Sequence, residues 1–411
     1  MTEENRKDLQ PNTAPAGREA QRPDPPDPGG PSREAARPPR RLRFMVWGII
    51  AAAVIAVVLI GQFAIRRWSY RSYQVIGTQT VDNAISSEYC SMAGNVLRYG
   101  TDGASLMSRN QSTQWEITYR MDAPRVSVCG TTAVIYDGDG SEIVIVNESG
   151  QIGSITTDMP IVQAAVSSQG TVAAMLSDSS NSSWIRYYSA DGGEIASIKT
   201  SINEPGYPMD MALSQDGMLL AVSYLSYAES TMKTLIRFYN FDDIGQNQMD
   251  NRVGQFEMED TLVPEIEYLS ETTAVAFRDN GFTIFEGDTV PEKKQEIKVE
   301  EEIESVFFNA RYIGLILDQN DGESEEPFIL NVYDLEGREL VRQPMDFLFE
   351  EVEFSGNQVS FYNRDELCVF GMDGTEKFRG EYEEHPRQFF SIDTRQYVAA
   401  NEDGITWIRL R

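Results

Sequence analysis

The sequence predicts an all-β protein built as a β-propeller, a ring of four-stranded antiparallel sheets called blades. Short apolar strands alternate with tight glycine-containing turns throughout residues 72–411. This pattern returns about every 40 residues, which is typical of propeller blades. A third observation is an uncharged apolar stretch at residues 44–65, which predicts one membrane-spanning helix before the propeller.

Residues 1–43 are predicted to form a disordered arm rich in proline and arginine. Nine of the 18 prolines lie in the first 44 residues, where large apolar side chains are almost absent. Such a segment cannot bury enough apolar surface to offset the conformational entropy that folding would cost. Its PDPPDPGGP run favours the extended polyproline II conformation. We therefore expect no folded domain before the apolar stretch.

The 22 residues from Phe44 to Ile65 carry no charge, and Gln62 is their only strongly polar side chain. A helix of this length spans about 33 Å, enough to cross a bilayer core of about 30 Å. Residues 66–71 form a basic and aromatic collar of the kind found at lipid headgroups. The long preceding arm argues against a cleaved signal peptide. The alternative is a helix buried in a soluble protein.

The distribution of Lys and Arg indicates how the helix is oriented in the membrane. Residues 29–43 carry five of these side chains, whereas residues 66–80 carry three. Because Lys and Arg accumulate on the cytoplasmic side, we expect a cytoplasmic N-terminus and an extracytoplasmic propeller. The propeller region, residues 72–411, holds 23 basic and 57 acidic residues and is therefore strongly negative.

Small residues lie along one face of the predicted membrane helix. Gly48, Ala52 and Ala56 recur at intervals of four residues. Small side chains allow two helices in a bilayer to approach closely. We therefore expect the lipid bilayer as one partner, with weak homodimerisation through this face as an option and simple anchoring as the alternative.

The repeated unit of the propeller region contains two hairpins. Stretches such as IVIVNESGQIGS, from Ile143, and LNVYDLEGRELV, from Leu330, consist of a strand, a glycine turn and a second strand. Such turns need a positive φ, which glycine adopts readily. The units are predicted to begin near Glu88, Pro124, Ile161, Pro208, Pro264, Ile303, Leu348 and Pro386.

The last unit contains only three strands, RQFFSI, YVAAN and ITWIRLR. The segment SYQVIGTQT, just after the predicted membrane helix, is strand-like but belongs to no unit. We predict that it supplies the missing outer strand and closes a ring of eight blades, because closure removes an exposed sheet edge. Seven blades remain the alternative, if the first unit (Glu88–Tyr119) merges with the last.

Composition excludes several classes of function. The net charge of −29 repels phosphate, so nucleic acid is not an expected partner. With one histidine and three cysteines, most zinc sites, catalytic triads and disulfide scaffolds lack their residues. His385 is interpreted as a loop residue. Cys90 and Cys129 are interpreted as small buried thiols, with a disulfide between neighbouring blades as the alternative, and Cys368 is left unpaired.

Two acidic loops place oxygen atoms at alternate positions, as calcium-binding loops do. They comprise Asp137, Asp139, Ser141 and Glu142 in the first loop, and Asp318, Asn320, Asp321 and Glu323 in the second. Neither completes the twelve-residue calcium pattern, so both are interpreted as hairpin turns. The acidic runs that begin at Glu296, Glu323 and Glu350 are interpreted as solvated faces. We predict no catalytic residue, no cofactor and no metal ligand.

The element LSQDGMLLAVSY and the repeated Asp-Gly hairpins resemble WD40-like and quinoprotein-type propellers, although the Gly-His and Trp-Asp dipeptides of strict WD40 repeats are absent. With FMVWGIIAAAVIAVVLI, RSYQVIGTQ and LRYGTDGASLMS, residues 44–411 resemble a family of single-pass, propeller-bearing proteins of Gram-positive bacteria, mainly clostridia, whose function is unknown. The resemblance implies a propeller and an anchor, but no activity and no functional residues.

We therefore expect a membrane-anchored propeller that acts as a binding or scaffolding module at the cell envelope, with a protein partner. Propeller loops recognise ligands while the sheets hold them rigid. The alternative is a propeller enzyme, either a glycosidase or quinoprotein-like, because closely spaced carboxylates can hydrolyse glycosidic bonds. A purely structural role without a specific ligand is a third interpretation.

Overall fold

A computed structural model describes residues 50–51, 53–56, 69–81, 86–178, 182–228, 231–319, 325–382 and 385–411. Its strands form eight antiparallel sheets of four strands each. The prediction of an all-β propeller with eight four-stranded blades is therefore confirmed, and the seven-blade alternative is wrong.

The chain enters the propeller through β1 (Tyr73–Thr80) and then forms the blades in order. Blade 1 contains β2 (Ser87–Met92), β3 (Asn95–Gly100), β4 (Gly103–Met107) and β5 (Thr113–Thr118). Blade 2 contains β6 (Pro124–Cys129), β7 (Thr132–Asp137), β8 (Glu142–Asn147) and β9 (Gly150–Thr156). Blade 3 contains β10 (Ile161–Val166), β11 (Val172–Ser177), β12 (Ser182–Tyr188) and β13 (Glu194–Ser201). Blade 4 contains β14 (Tyr207–Leu213), β15 (Leu219–Ala228), β16 (Thr231–Asn240) and β17 (Arg252–Glu259).

The second half of the ring has the same organisation. Blade 5 contains β18 (Glu265–Tyr268), β19 (Thr273–Arg278), β20 (Gly281–Glu286) and β21 (Glu292–Lys298). Blade 6 contains β22 (Glu302–Phe308), β23 (Tyr312–Asp318), β24 (Phe328–Asp334) and β25 (Glu339–Met345). Blade 7 contains β26 (Glu351–Ser355), β27 (Gln358–Tyr362), β28 (Glu366–Gly371) and β29 (Glu376–Glu381). Blade 8 contains β30 (Gln388–Ser391), β31 (Gln396–Asn401), β32 (Gly404–Leu410) and, as its outer strand, β1.

The first strand of every blade begins within three residues of its predicted start. Between β16 and β17 the chain forms a short helix, α1 (Asp243–Gln246), and one 3₁₀ turn (Met249–Asn251). These two elements lengthen blade 4, which is why its predicted start, Pro208, precedes the next predicted start, Pro264, by more than the usual repeat of about 40 residues.

The middle strands of a blade are buried on both faces, whereas the outer strands are not. All six residues of β7 and all six of β19 are buried. The outer strands β5 and β21 contain no buried residue. This difference arises because neighbouring blades cover both faces of the middle strands, whose sequences are therefore continuous apolar runs rather than alternating ones.

Tight turns between the first and second strands use glycine where the backbone must be left-handed. Gly170 has a φ of 89° and Gly217 a φ of 78°. A Cβ atom on Gly217 would also lie 2.3 Å from the hydroxyl oxygen of Thr171 in the neighbouring blade. Glycine at this position therefore allows both the turn and the close approach of two blades.

The outer strand of blade 8 comes from the start of the propeller, as predicted for SYQVIGTQT. β1 pairs antiparallel with β32 from Tyr73 opposite Leu410 to Thr80 opposite Gly404. Beyond the strand ends, the Arg411 N–H donates to the Ser72 carbonyl (2.9 Å) and the Val81 N–H to the Asp403 carbonyl (3.1 Å). The first and last strands of the propeller are thus paired from end to end, with one irregularity between Val75 and Gly77.

Buried side chains, like the backbone hydrogen bonds, hold the last and first blades of the ring together. Among the described residues, hydrophobic side chains form eight clusters, each shared by two neighbouring blades. The cluster between blades 8 and 1 packs Val398 and the fully buried Trp407 against Val96. Since burial of one large apolar side chain contributes about 1.5–3 kcal/mol, each of these interfaces is a major source of stability.

The segment before β1 is described only in part. Residues 50–51 and 53–56 are helical, and the remainder of the predicted membrane span at 44–65 lies outside the described residues. Within the described part of the chain, no helix is both long enough and apolar enough to cross a bilayer. Tyr70, predicted to belong to the membrane collar, packs against the propeller, where its hydroxyl accepts a hydrogen bond from Gln358 Nε2 (3.1 Å).

We predict that β1 is essential for a stable ring. A chain that lacks residues 1–80 exposes the unpaired edge of β32 and loses the packing of Tyr70 and Tyr73 between blades 7 and 8. We expect aggregation or a fall of roughly 10 °C or more in the unfolding midpoint, measured by calorimetry. A chain that lacks only residues 1–65 is the control. Equal midpoints for the two chains would contradict closure by β1.

Candidate functional site

The histidine, cysteine and acidic residues that the sequence analysis considered as candidates do not form one site in the structure. His385 lies on an exposed loop, and its Nδ1 is 2.8 Å from Asp365 Oδ1. Cys90 and Cys129 lie on the first strands of blades 1 and 2 and are half-buried rather than buried as predicted, and all three cysteines are free thiols. Burial of its sulfur raises the pKa of Cys90 to about 12, which favours the protonated thiol over the thiolate at neutral pH.

The first acidic loop is a hairpin turn that the protein uses structurally. Asp137 Oδ1 accepts hydrogen bonds from the backbone N–H groups of Asp122 (3.0 Å) and Ala123 (2.7 Å). Asp139 occupies the left-handed turn position, with a φ of 63°. In the second loop, Asn320, Asp321 and Glu323 lie outside the described residues. Across the described residues, no group of three His, Cys, Asp or Glu side chains could hold a metal ion.

The prediction that the acidic runs are solvated faces is wrong at three positions. Glu296 forms ion pairs with Lys293 and with the buried Arg278 (2.9 Å), and the hydrogen bond from Lys293 is the main reason its pKa is lowered to about 2. Glu301 pairs with Arg342. Glu353 is half-buried and accepts a hydrogen bond from the Ser391 N–H (2.5 Å), across the boundary of blades 7 and 8.

The first strands of the blades bring acidic side chains together at the inner rim of the ring. Contacts join the first strands of neighbouring blades, including β10 to β14, β14 to β18 and β26 to β30. Several of these first strands carry carboxylates. They include Asp210 in blade 4, Glu265 and Glu267 in blade 5, and Glu351 and Glu353 in blade 7. The blade 4 and blade 5 residues form the rim cluster, which we define as Asp210, Glu265 and Glu267.

Hydrogen bonds fix the geometry of the rim cluster. Gln163 of blade 3 donates through Nε2 to Asp210 Oδ1 (2.6 Å), and its Oε1 accepts from the Met211 N–H (3.2 Å). The other oxygen of Asp210 accepts from the Ile266 N–H of blade 5 (2.8 Å). One carboxylate thus connects three blades and lies beside the strand segment that carries the two glutamates.

Burial and mutual repulsion make these carboxyl groups weak acids. Burial raises the pKa of Glu267 to about 8, with further increases from the charges of Asp210 and Glu265. Burial and the Asp210 charge raise the pKa of Glu265 to about 7. Burial also raises the pKa of Asp210, although hydrogen bonds from Ile266 and Gln163 oppose that shift. The rim cluster therefore holds at least one proton near neutral pH.

We define the top face as the side of the ring at which the first strand of each blade begins. On this face, exposed apolar side chains lie beside the rim cluster. Tyr207 and Met209, on β14, are 50% and 39% exposed, and Ile202, just before β14, is 49% exposed. The β15–β16 hairpin extends beyond the start of β14, because Tyr207 pairs with Leu225 and the strands continue to Ala228 opposite Thr231. We define the apolar patch as Tyr207 and Met209 of blade 4 together with Ile202 in the connection from blade 3, on the face toward which the β15–β16 hairpin projects.

Neither the rim cluster nor the apolar patch was predicted from the sequence. The rim cluster joins Asp210 to two glutamates of the next blade that are more than 50 positions away in the sequence. The one available signal was the alternation of charged residues in PEIEY, which places Glu265 and Glu267 on the same side of a strand that lies between apolar segments. The apolar patch follows a turn and has no periodic pattern of its own.

We predict that the rim cluster makes stability depend on pH. Because Glu265 and Glu267 have raised pKa values in the folded state, the folded chain binds more protons than the unfolded chain between about pH 4.5 and pH 8. Stability therefore falls as pH rises through this range. Glu267→Gln removes the titrating group, so its unfolding midpoint should fall less between pH 5 and pH 8.5 than that of the parent chain.

Glu116→Gln is the matched control, because Glu116 is exposed on the outer strand of blade 1 and its replacement changes the net charge equally. Calorimetric midpoints at both pH values give the comparison. If the unfolding midpoints of the two variants depended identically on pH, the rim cluster would not bind additional protons in the folded state.

The structure resembles solved propellers at low sequence identity. BamB from Moraxella catarrhalis is 11% identical with a TM-score of 0.51, and the match covers 83% of this chain and 100% of that one. Sqt1 from Saccharomyces cerevisiae is 12% identical with a TM-score of 0.50, covering 84% of this chain and 99% of that one. At such identities the likeness extends to the fold alone. A comparison with curated proteins found no match.

The family assignment rests on the sequence itself. Residues 66–410, the whole propeller with the segment just before it, match the family of unknown function DUF5711. This match covers most of the chain and agrees with the expected resemblance to an uncharacterised propeller family. The chain belongs to DUF5711.

Proposed function

We propose that this protein is a membrane-anchored binding module of the cell envelope, which holds a protein partner on the top face of blades 4 and 5. One observation carries the proposal: the exposed apolar patch of Ile202, Tyr207 and Met209 lies beside the half-buried carboxylates of the rim cluster. Apolar centres with polar surroundings are typical of surfaces at which proteins associate.

The side chains of the patch suit such a role. Tyr207 combines a large apolar ring with a hydroxyl group, and aromatic residues of this kind dominate binding energy at interfaces. Met209 is flexible enough to adapt to an irregular partner surface. The scaffold beneath them is rigid, because Pro208 and Met211 on the same strand are buried, Met211 in the cluster between blades 3 and 4. The partner therefore meets a surface that needs little reorganisation.

The charge of the region indicates the chemistry of the partner. The propeller region carries 57 acidic and 23 basic residues, so it attracts positively charged surfaces over distances of about a Debye length, roughly 8 Å at physiological salt. The rim cluster is partly protonated near neutral pH, but a cation that binds beside its carboxyl groups favours their ionised form. A partner segment with exposed apolar residues and neighbouring Lys or Arg side chains fits both features.

The proposed function includes attachment to the membrane through one helix at residues 44–65. It is supported by the uncharged stretch at 44–65, by its basic and aromatic flanks, and by the excess of arginine in residues 29–43. The proposed location is the cell membrane, with one helix, a cytoplasmic N-terminus and an extracytoplasmic propeller. Weak pairing through Gly48, Ala52 and Ala56 remains an option, and the first two of these lie outside the described residues.

A second candidate function, a glycosidase-like enzyme, is favoured by one observation. Glu267, with a pKa raised to about 8, supplies a protonated carboxyl close to Asp210, which resembles the acid and carboxylate pair of such enzymes. Hydrolysis of aryl glycosides by the intact chain, abolished in Glu267→Gln, would favour this function. Activity that persists in the variant would exclude Glu267 as its acid.

Site-specific photo-crosslinking in living cells tests the partner site. A benzophenone amino acid at position 207 or 209 should give a discrete product of higher mass, because both side chains point into solvent at the proposed interface. Position 195 is the matched control, since Ile195 is 54% exposed but lies on the outer strand of blade 3. A product of the same mass and yield at position 195, or none at 207 and 209, would contradict the proposal.

Cysteine labelling tests the topology. In a chain whose three native cysteines are replaced by serine or alanine, a new cysteine at the exposed Glu116 should react with a membrane-impermeant maleimide on intact cells. A cysteine placed before residue 40 should react only after lysis. The reverse pattern would overturn the proposed orientation, and reaction of neither site in intact cells would overturn the extracytoplasmic location.

A further inference from the structure

The seam between blades 7 and 8 contains an apolar cavity that the proposed function does not use. Its volume is about 90 Å³. The closure strand β1 forms one wall, Tyr382 at the end of blade 7 another, and the remaining strands of blade 8 with the loop before them the rest; the principal lining side chains are Tyr73, Val75, Tyr382, Pro386, Phe389 and Ile408. An apolar cavity of about 150 Å³ accommodates benzene, so this one is suited to a smaller group such as a branched aliphatic side chain.

A second, polar cavity of about 450 Å³ adjoins the apolar one. It is open to solvent and is lined by Asn363, Asp365, Glu366, Glu381, Tyr382 and His385. Tyr382 lines both cavities, and the consecutive residues His385 and Pro386 line one each. Tyr382 is itself held in place, because it stacks on Phe389 with ring centroids 5.1 Å apart and donates its hydroxyl hydrogen to the Asn363 carbonyl.

Two carboxylates in the polar cavity are arranged unfavourably. Glu366 on β28 lies directly opposite Glu381 on β29, so both side chains project from the same face of the sheet. Like charges in such cross-strand pairs, with Cβ atoms about 5 Å apart, destabilise a sheet. Within the described part of the chain neither glutamate forms an ion pair: the nearby Arg364 pairs with Glu350, and His385 pairs with Asp365.

We propose that the two cavities form one docking site for a basic segment of a partner protein. An aliphatic side chain of the segment occupies the apolar cavity, and a neighbouring Lys or Arg side chain lies between Glu366 and Glu381. Charge complementarity supports this occupant, because a cation between the two glutamates replaces repulsion with attraction. The adjoining apolar cavity selects a segment in which an aliphatic residue accompanies the basic one.

This seam site is independent of the top-face patch on blade 4. It shares no residue with Ile202, Tyr207 and Met209, and it is built partly from the closure strand. Binding at the seam should also stabilise the ring, because a ligand that contacts Tyr73 and Val75 binds only the closed state.

Peptide binding to the full chain in detergent micelles tests the site. The probe is a fluorescein-labelled peptide, GSLRKSG, followed by anisotropy, with GSLEESG and GSSRKSG as comparison peptides. We expect saturable binding of GSLRKSG below about 1 mM and binding at least about tenfold weaker for both comparison peptides. Absence of saturable binding, or equal binding of GSLRKSG and GSSRKSG, would overturn the proposal.

Single substitutions distinguish a loss of peptide binding from a loss of folding. Glu381→Gln should raise the unfolding midpoint of the free protein, because it removes the repulsion, and should weaken GSLRKSG binding about tenfold. Val75→Ser should weaken binding through loss of the apolar wall, and Val75 is 49% exposed, so the fold tolerates the change. Glu116→Gln and Tyr207→Ser should leave binding unchanged. Unaltered affinity in Glu381→Gln would overturn the proposal.

Discussion

The antiparallel pairing of β1 with β32 is the interaction on which the remainder of the propeller depends. A blade is covered on both faces only if it has a neighbour on each side, and the ring provides this for all eight blades only when it is closed. The pairing holds the first and last strands of the propeller together, and Trp407 of β32 is fully buried between blade 8 and blade 1. It also leaves no edge of β32 exposed for aggregation.

Closure of eight blades crowds the first strands around the centre of the ring, and this crowding determines the chemistry of the inner rim. Side chains that would be solvated on an isolated strand lie against neighbouring blades there. Asp210 of blade 4 is compensated by hydrogen bonds across two blade boundaries, from Gln163 of blade 3 and from the Ile266 N–H of blade 5. Glu265 and Glu267 have no comparable donors among the described contacts and instead have raised pKa values. The same scaffold holds the apolar patch of blade 4 in a fixed position.

The sequence predicted the architecture well because the architecture is repetitive. Eight strand-turn-strand-turn units and one unassigned strand were enough to predict the blades and their closure. The rim cluster was not predictable, since contacts between Asp210 and blade 5 depend on the register of two strands, and β14 contains an irregularity between Pro208 and Asp210. Glu353 was misread for a similar reason: it belongs to an acidic run, but its side of β26 faces blade 8, whose Ser391 N–H donates to its carboxylate.

The most direct test of the account is amide hydrogen exchange of the intact chain, resolved to the peptides that contain residues 73–80 and 404–410. If β1 closes a single cooperative ring, both peptides should exchange at the same slow rate as the middle strands of the other blades, through unfolding of the whole propeller. Fast exchange of residues 73–80, with residues 396–401 still protected, would show that β1 is only loosely associated and would contradict closure as the basis of the fold.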